Sequence, residues 1–238
     1  MDKVKAVLTG HSRGLGAAIA AELAAHGIPT LALARNKAAA TQGLQQVELD
    51  LSDSAALAAW LSGNQLGKFA AGAGTLLLIN NAGVVQPVGP ITTQSPDQVA
   101  RAVALNVAAP LMLAAAIAAM PALDRRVLHV SSGAGRNAYP GWAVYCAGKA
   151  ALDHHARAAA LDSTPGLRVC SLAPGVIDTD MQAQIRASDL ASFPLRERFE
   201  ALKREGQLES PADCARKLLR FLLSADFGQQ PVADLRDV

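Results

Sequence analysis

Cysteine is scarce: the chain of 238 residues has three, Cys146, Cys170 and Cys214, widely separated and without CxxC or Cys/His ligand spacing. An odd number so arranged excludes a disulfide framework and a structural zinc site, and it fits a reducing compartment. Charge of one sign is missing as well. The 22 basic and 20 acidic residues are mixed along the chain for a net charge of +2, with no basic block of the kind that tracks a phosphate backbone, so no nucleic-acid partner is expected. Nor is there a long unbroken apolar run. Residues 102–123 are apolar, but Asn106, Pro110 and Pro121 interrupt them, and no membrane-spanning helix is expected. Only Met1, Asp2 and Lys3 precede the first apolar run, too few for the charged and apolar regions of a secretory signal, so a cytoplasmic protein is expected. Internal repeats and Gly/Ser or Pro linkers are lacking too, which favours one domain over 1–238. The five histidines, His11, His26, His129, His154 and His155, form no ligand spacing, and no metal is expected.

What is present is apolar and rich in alanine: 51% of the residues are hydrophobic, enough for one substantial core of closely packed helices. Short apolar runs of strand length at Val4–Thr9, Thr30–Ala34, Gln46–Leu49, Leu76–Asn80, Arg126–Ser131 and Leu167–Leu172 alternate with helical patterns near Leu15–His26, Ser54–Ser62, Pro96–Met120 and Trp142–Asp162. Such runs read as buried strands of a parallel sheet, and the alternation as βαβ crossovers. The fold expected is α/β: a single-domain, Rossmann-like, doubly wound parallel sheet flanked by helices on both faces. Residues 180–224 read as mainly helical, Pro231–Leu235 as a last short strand, and the glycines at 63, 67, 72 and 74 as a loop before the fourth strand.

The first strand runs through Thr9-Gly10-His11-Ser12-Arg13-Gly14-Leu15-Gly16 into a helix. Gly10 suits backbone angles closed to other residues, and bare Cα positions at Gly14 and Gly16 let a pyrophosphate or a neighbouring strand come close to the helix start. Further marks follow: Asn80-Asn81-Ala82-Gly83 after the fourth strand, Ser132 thirteen positions before Tyr145, Tyr145-x3-Lys149 on a helix, and Pro174-Gly175 after the sixth strand. Tyr145 and Lys149, four apart, share one helix face. In this order and spacing the motifs resemble those of the short-chain dehydrogenase/reductase family over nearly the whole chain. The ending Val232-Ala233-Asp234-Leu235-Arg236-Asp237 is similar to that of the branch containing sepiapterin and benzil reductases.

The resemblance implies hydride transfer between a nicotinamide and a small carbonyl or alcohol, with Asn106, Ser132, Tyr145 and Lys149 as the catalytic group. Tyr145 would be the acid and base, its phenol lowered from a pKa of about 10 by the Lys149 ammonium, a change toward 7 needing about 4 kcal/mol. Ser132 would donate to the substrate oxygen, with Ser131 as the alternative. Asn106 would hold a water linking the lysine to solvent. To the cofactor the resemblance assigns Gly10, Ser12, Arg13, Gly14, Leu15, Gly16, Asn80, Ala82 and Gly83, besides Tyr145 and Lys149. Asp50 and Leu51 would meet the adenine, and Asp50 has helix capping as its alternative. Pro174, Gly175, Val176 and Thr179 would hold the carboxamide, with Thr179 otherwise only a helix N-cap.

Ala34 stands where an NAD site usually has a carboxylate, and Arg35 and Arg13 can meet a 2′-phosphate, so NADP(H) is the expected cofactor. Residues 180–208 would form a helical substrate region, and Tyr139, Trp142, Met181 and Phe193 are candidates to line its pocket. Two other readings stand beside this one. The chain is a non-catalytic NADP-binding sensor or scaffold, or it is a 3-oxoacyl-acyl-carrier-protein reductase that meets its carrier through Arg186, Arg196, Arg198, Lys203 and Arg204. Family members are usually dimers or tetramers packed through the helices of Asn106 and Tyr145, where Ala108, Ala114, Ala115 and Ala118 would suit close contact.

Overall fold

The computed structural model describes residues 3–238; Met1 and Asp2, counted above among the residues before the first strand, lie outside the described residues. Seven strands make one sheet: β1 Val4–Thr9, β2 Thr30–Ala34, β3 Leu44–Glu48, β4 Thr75–Asn80, β5 Asp124–Val130, β6 Leu167–Ala173 and β7 Val232–Asp234. Their order is β3-β2-β1-β4-β5-β6-β7, every neighbouring pair parallel. Helices supply the crossovers that parallel neighbours require: α1 Gly14–Ala25, α2 Ser54–Leu61, α3 Gln65–Ala70, α4 Pro96–Val103, α5 Ala109–Ala118, α6 Ala143–Leu161, α7 Asp180–Arg186, α8 Arg196–Arg204 and α9 Pro211–Leu223. The doubly wound α/β architecture expected from the alternation is the one observed.

β1 shows why its sequence reads as a continuous apolar run. Ala6 and Leu8 pack with Ile19 and Leu23 of α1 and Leu218 and Leu222 of α9, while Val7 packs on the other face with Leu113 and Ile117 of α5. Burial on both faces removes the polar half of the usual strand alternation. Since β1 lies between β2 and β4, the winding reverses there, and a crevice opens beyond the carboxyl ends of the two central strands.

Three local expectations are corrected. β3 is Leu44–Glu48, beginning two residues before the expected Gln46, because the edge strand follows the register of β2, from Thr30 opposite Leu44 to Ala34 opposite Glu48. The glycine-containing loop before β4 holds α3, anchored by buried Leu66 and Phe69 and by Lys5, whose ammonium donates to the Phe69 and Ala71 carbonyls at 2.7 and 2.8 Å. The helical pattern expected over Pro96–Met120 is observed as a continuous helix over Pro96–Ala118 that accommodates Asn106 and Pro110. A π-helical turn over Ala104–Ala108 joins α4 to α5, and a widened turn accommodates the N–H that Pro110 lacks. The run Pro96–Ala118 is therefore the one helix among the described residues long and apolar enough to cross a membrane; here it packs on the sheet through Ala109, Leu113 and Ile117. Finally, Ala114 is buried within the subunit, so it offers no surface for a partner, whereas Ala115 faces outward.

Candidate active site

A cavity of about 660 Å³ lies at the reversal point, floored by the carboxyl ends of the strands. The turn after β1 forms one wall, and its three glycines have different reasons. Gly10 (φ 72°) and Gly14 (φ 55°) adopt left-handed angles, which Gly takes at little steric cost. At Gly16 the restriction is contact: a Cβ would lie 1.9 Å from the Gly10 carbonyl oxygen and 2.5 Å from Asn81 Nδ2. Gly16 thus lets the turn close on itself, whereas a Cβ at Gly14 would meet only the Thr179 side chain, at an ordinary contact distance of 3.4 Å. Thr9 ties this turn to the next loop, its hydroxyl oxygen accepting from the Asn81 and Ala82 N–H groups at 3.0 Å each.

Ser12, Arg13, Leu15, Arg35, Asp50, Leu51, Ala82 and Gly83 line the same cavity. Asp53, not Asp50, caps α2, accepting from Ala56 N–H at 2.9 Å. Asp50 instead accepts from the Ser52 N–H and hydroxyl. Partial burial opposes its ionisation, yet these two bonds with Arg35 and Arg101 hold its carboxyl below the ordinary carboxylate value. Arg13 and Arg35 are both at the wall, and Arg13 lies 3.6 Å from the Asp180 carboxylate.

Asn80 departs from expectation. It belongs to the face of β4 that carries Leu76 and Leu78, and its amide donates to the Pro110 carbonyl at 3.2 Å and meets His129 Nδ1 at 3.1 Å, away from the cavity. Asn81 takes its place at the wall, donating to the Thr9 and Gly10 carbonyls. Counting alternate residues along β4 separates the two, since residues two apart share a face.

At the far end, Tyr145, Lys149 and Ser132 meet at one cavity wall. Ser131 is excluded as the free hydroxyl because it donates to Asp153 at 2.7 Å. Ser132, the first residue beyond that contact, accepts from the Ala134 N–H at 3.2 Å and lies near enough to Tyr145 to favour its ionised form. Lys149 is buried, its Nζ donating to the Val130 carbonyl at 2.6 Å; burial pulls its pKa down to about 8, with Asp153 acting upward. Burial also pushes the Tyr145 hydroxyl up to about 12, with Ser132 opposing. Burial dominates here, and Lys149 is not among the groups that shift the phenol. Asn106 lies behind the wall. Its amide oxygen accepts from Val84 N–H at 2.9 Å and its amide nitrogen donates to the Val84 carbonyl at 2.8 Å.

Pro174, Gly175, Val176 and Thr179 line the side formed by the loop after β6. Thr179 stands at the N-cap of α7 without making a side-chain cap bond, which leaves its hydroxyl to the cavity. Tyr139, Trp142 and Met181 line the end near Tyr145 as expected, but Phe193 does not: it is fully buried, stacked on Trp142 at 4.6 Å, and Phe199 of α8 lines the wall instead. Arg236 and Asp234, paired at 2.7 Å, complete that end. Both belong to the ending that carries the branch resemblance, but only the placement of β7 at the sheet edge brings them to the cavity.

Residues 4–190 match a family model described as short chain dehydrogenase. Benzil reductase ((S)-benzoin forming) of Bacillus cereus is 32% identical, covering 95% of this chain and 96% of that protein. Sepiapterin reductase of Meriones unguiculatus is 36% identical over 97% and 95% of the two chains. A crystal structure of a short-chain dehydrogenase/reductase from Burkholderia vietnamiensis is 49% identical, with a TM-score of 0.71 over 100% of this chain and 99% of that one.

Proposed function

Because the chain belongs to the short chain dehydrogenase family, we propose that it transfers a hydride between NADP(H) and a small carbonyl or secondary alcohol, with Tyr145 as general acid and base. The observation that carries this reading is the meeting of Tyr145, Lys149 and Ser132 in one cavity with a glycine turn at its other end. The cavity fits the cofactor class. Gly14 brings the start of α1 to the cavity wall where a pyrophosphate would lie, Asp50 and Leu51 offer an adenine edge, and the Thr179 hydroxyl makes no cap bond and could meet a carboxamide. Bound there, the reduced nicotinamide supplies the hydride to the carbonyl carbon. Tyr145 gives its proton to the carbonyl oxygen, and the Ser132 hydroxyl donates to the same oxygen as charge develops on it. Oxidation of an alcohol reverses these transfers.

NADP is preferred over NAD on the side chains at the adenosine end: Ala34 in place of an acid, with Arg35 and Arg13 at the wall. With its amide occupied by Val84, Asn106 acts through the backbone of its π-helical turn, where a carbonyl released from the α pattern can hold the relay water. The substrate is a free carbonyl beside an aromatic or apolar group, matching Tyr139, Trp142, Met181 and Phe199 and in keeping with the two named reductases. A carrier-protein substrate has less support. Arg186 and Lys203 share Asp178, Arg196 pairs with Glu200 and Arg204 with Glu205, which offsets much of the basic surface, although Arg198 has no ion pair among the described residues. A dimer or tetramer through α4, α5 and α6 accompanies this reading.

The test is NADPH oxidation with aromatic ketones, 1,2-diketones and pterins, comparing wild type with Tyr145→Phe. Loss of roughly 10²–10⁴ in rate is expected, with the NADPH-induced rise in melting temperature retained. Equal near-zero rates in both, with that rise present, would instead identify a binding module.

A further inference from the structure

Asp153 lies one helical turn beyond Lys149 on α6 and is 1% exposed. Its Oδ1 accepts from the Ser131 hydroxyl just after β5 and the Ser171 hydroxyl of β6, both at 2.7 Å. Oδ2 has no hydrogen-bond partner and faces Arg136, whose Nε is 3.7 Å away. Arg136 in turn donates to the Ala233 carbonyl of β7 at 3.1 Å. A buried charge of this kind is a poor source of stability, since apolar residues of similar volume often serve as well. Its placement points to another purpose.

The contacts bracket Ser132. Ser131 immediately precedes it and Arg136 follows four residues later. Between them, Gly135 approaches α6 so closely that a Cβ would lie 2.9 Å from Asp153 Oδ2 and 3.0 Å from the Lys149 carbonyl. The carboxylate therefore holds both sides of the Ser132 turn against the helix that carries Tyr145 and Lys149. Resting on the function proposed above, we infer that Asp153 is a positioning residue whose carboxylate sets the Ser132 hydroxyl against Tyr145 and Lys149. The groups facing it are the two serines and Cys170 from the sheet, Arg136 from the turn and Lys149 from its own helix. Among them Lys149 feels its charge, which favours the ammonium against burial.

Asp153→Asn keeps the shape and can still accept from the serines, but it lacks the charge. We expect kcat to fall about 10–100-fold, the scale of a displacement of about 1 Å in a reacting group, while KM and the cofactor-induced melting shift change less than about threefold. The alkaline limb of the kcat profile should move down by about one pH unit as Lys149 loses its proton more easily. Ser131→Ala should lower kcat without moving that limb. In a crystal structure of Asp153→Asn, Ser132 Oγ should stand displaced from Tyr145. Wild-type kcat and pH profile in Asp153→Asn, an unmoved Ser132, or losses of kcat, cofactor binding and melting temperature in equal measure would overturn the inference. Should the wild-type protein reduce no carbonyl, the functional reading fails, and the position of Ser132 in the variant still decides the role of Asp153.

Discussion

The Lys149 ammonium lies 5.6 Å from the centre of the Tyr145 ring, bonded to the Val130 carbonyl and not to the phenol. Proximity in sequence and a shared helix face do not by themselves acidify the tyrosine, which burial holds at about 12. With only Tyr139 besides Tyr145 in the chain, tyrosinate absorbance in a Tyr139→Phe background reports Tyr145 alone. No ionisation is expected below pH 10 in the cofactor-free protein. A phenol that titrates below pH 9 there would contradict the burial argument.

Arg35 is the cavity-wall guanidinium adjoining Ala34, and unlike Arg13 it forms no ion pair among the described residues. A charge-assisted contact to a phosphate contributes roughly 1.5–3 kcal/mol. Arg35→Ala is expected to weaken NADPH binding about 10–100-fold and to leave NADH binding within a factor of about two, measured by fluorescence titration. Equal weakening of both cofactors would remove Arg35 from the 2′-phosphate.

Gly16 sits inside α1, where alanine normally gains about 1 kcal/mol in helix propensity. The added methyl would lie 1.9 Å from the Gly10 carbonyl oxygen, an overlap that the backbone turn must move to relieve, at a cost of about 1–3 kcal/mol or more. Contact outweighs propensity, and Gly16→Ala should lower the denaturant midpoint and weaken cofactor binding. Unchanged stability would mean that the turn yields freely.

Buried His129 lies between Asn80 and His155, with ring contacts of 3.1 Å to each. Burial first, then His155 and Lys149, lowers its pKa from 6.5 to about 3, while His155 is also lowered by burial. Between those values the unfolded chain binds the proton that the native state refuses. Stability from His129 is therefore present above pH 6.5 and falls by about 1.4 kcal/mol per unit as pH drops toward 3. Urea unfolding at pH 7, 6 and 5 should show the decline, and His129→Gln should flatten it. An unaltered slope in the variant would assign acid sensitivity elsewhere.

Element order, sheet type and the residues around the two ends of the cavity were legible in the sequence, because strands buried on both faces leave continuous apolar runs and because the glycine turn and the Tyr145/Lys149 pair are local patterns. Local spacing also put Ser132 thirteen residues before Tyr145. Only the tertiary structure decided between neighbours. Ser131 is bound to Asp153 on another element, Asp53 takes the cap that Asp50 leaves, and Asn80 turns to Pro110 while Asn81 ties the loops. The serine and asparagine choices depend on partners 22 to 72 positions away, and hydrogen-bond competition among distant groups leaves no period or motif in the chain; the cap is a local choice between two nearby aspartates. The direction of the Tyr145 shift belongs to the same class. Burial, which is a property of the packed molecule, outweighs the influence of a lysine four residues away.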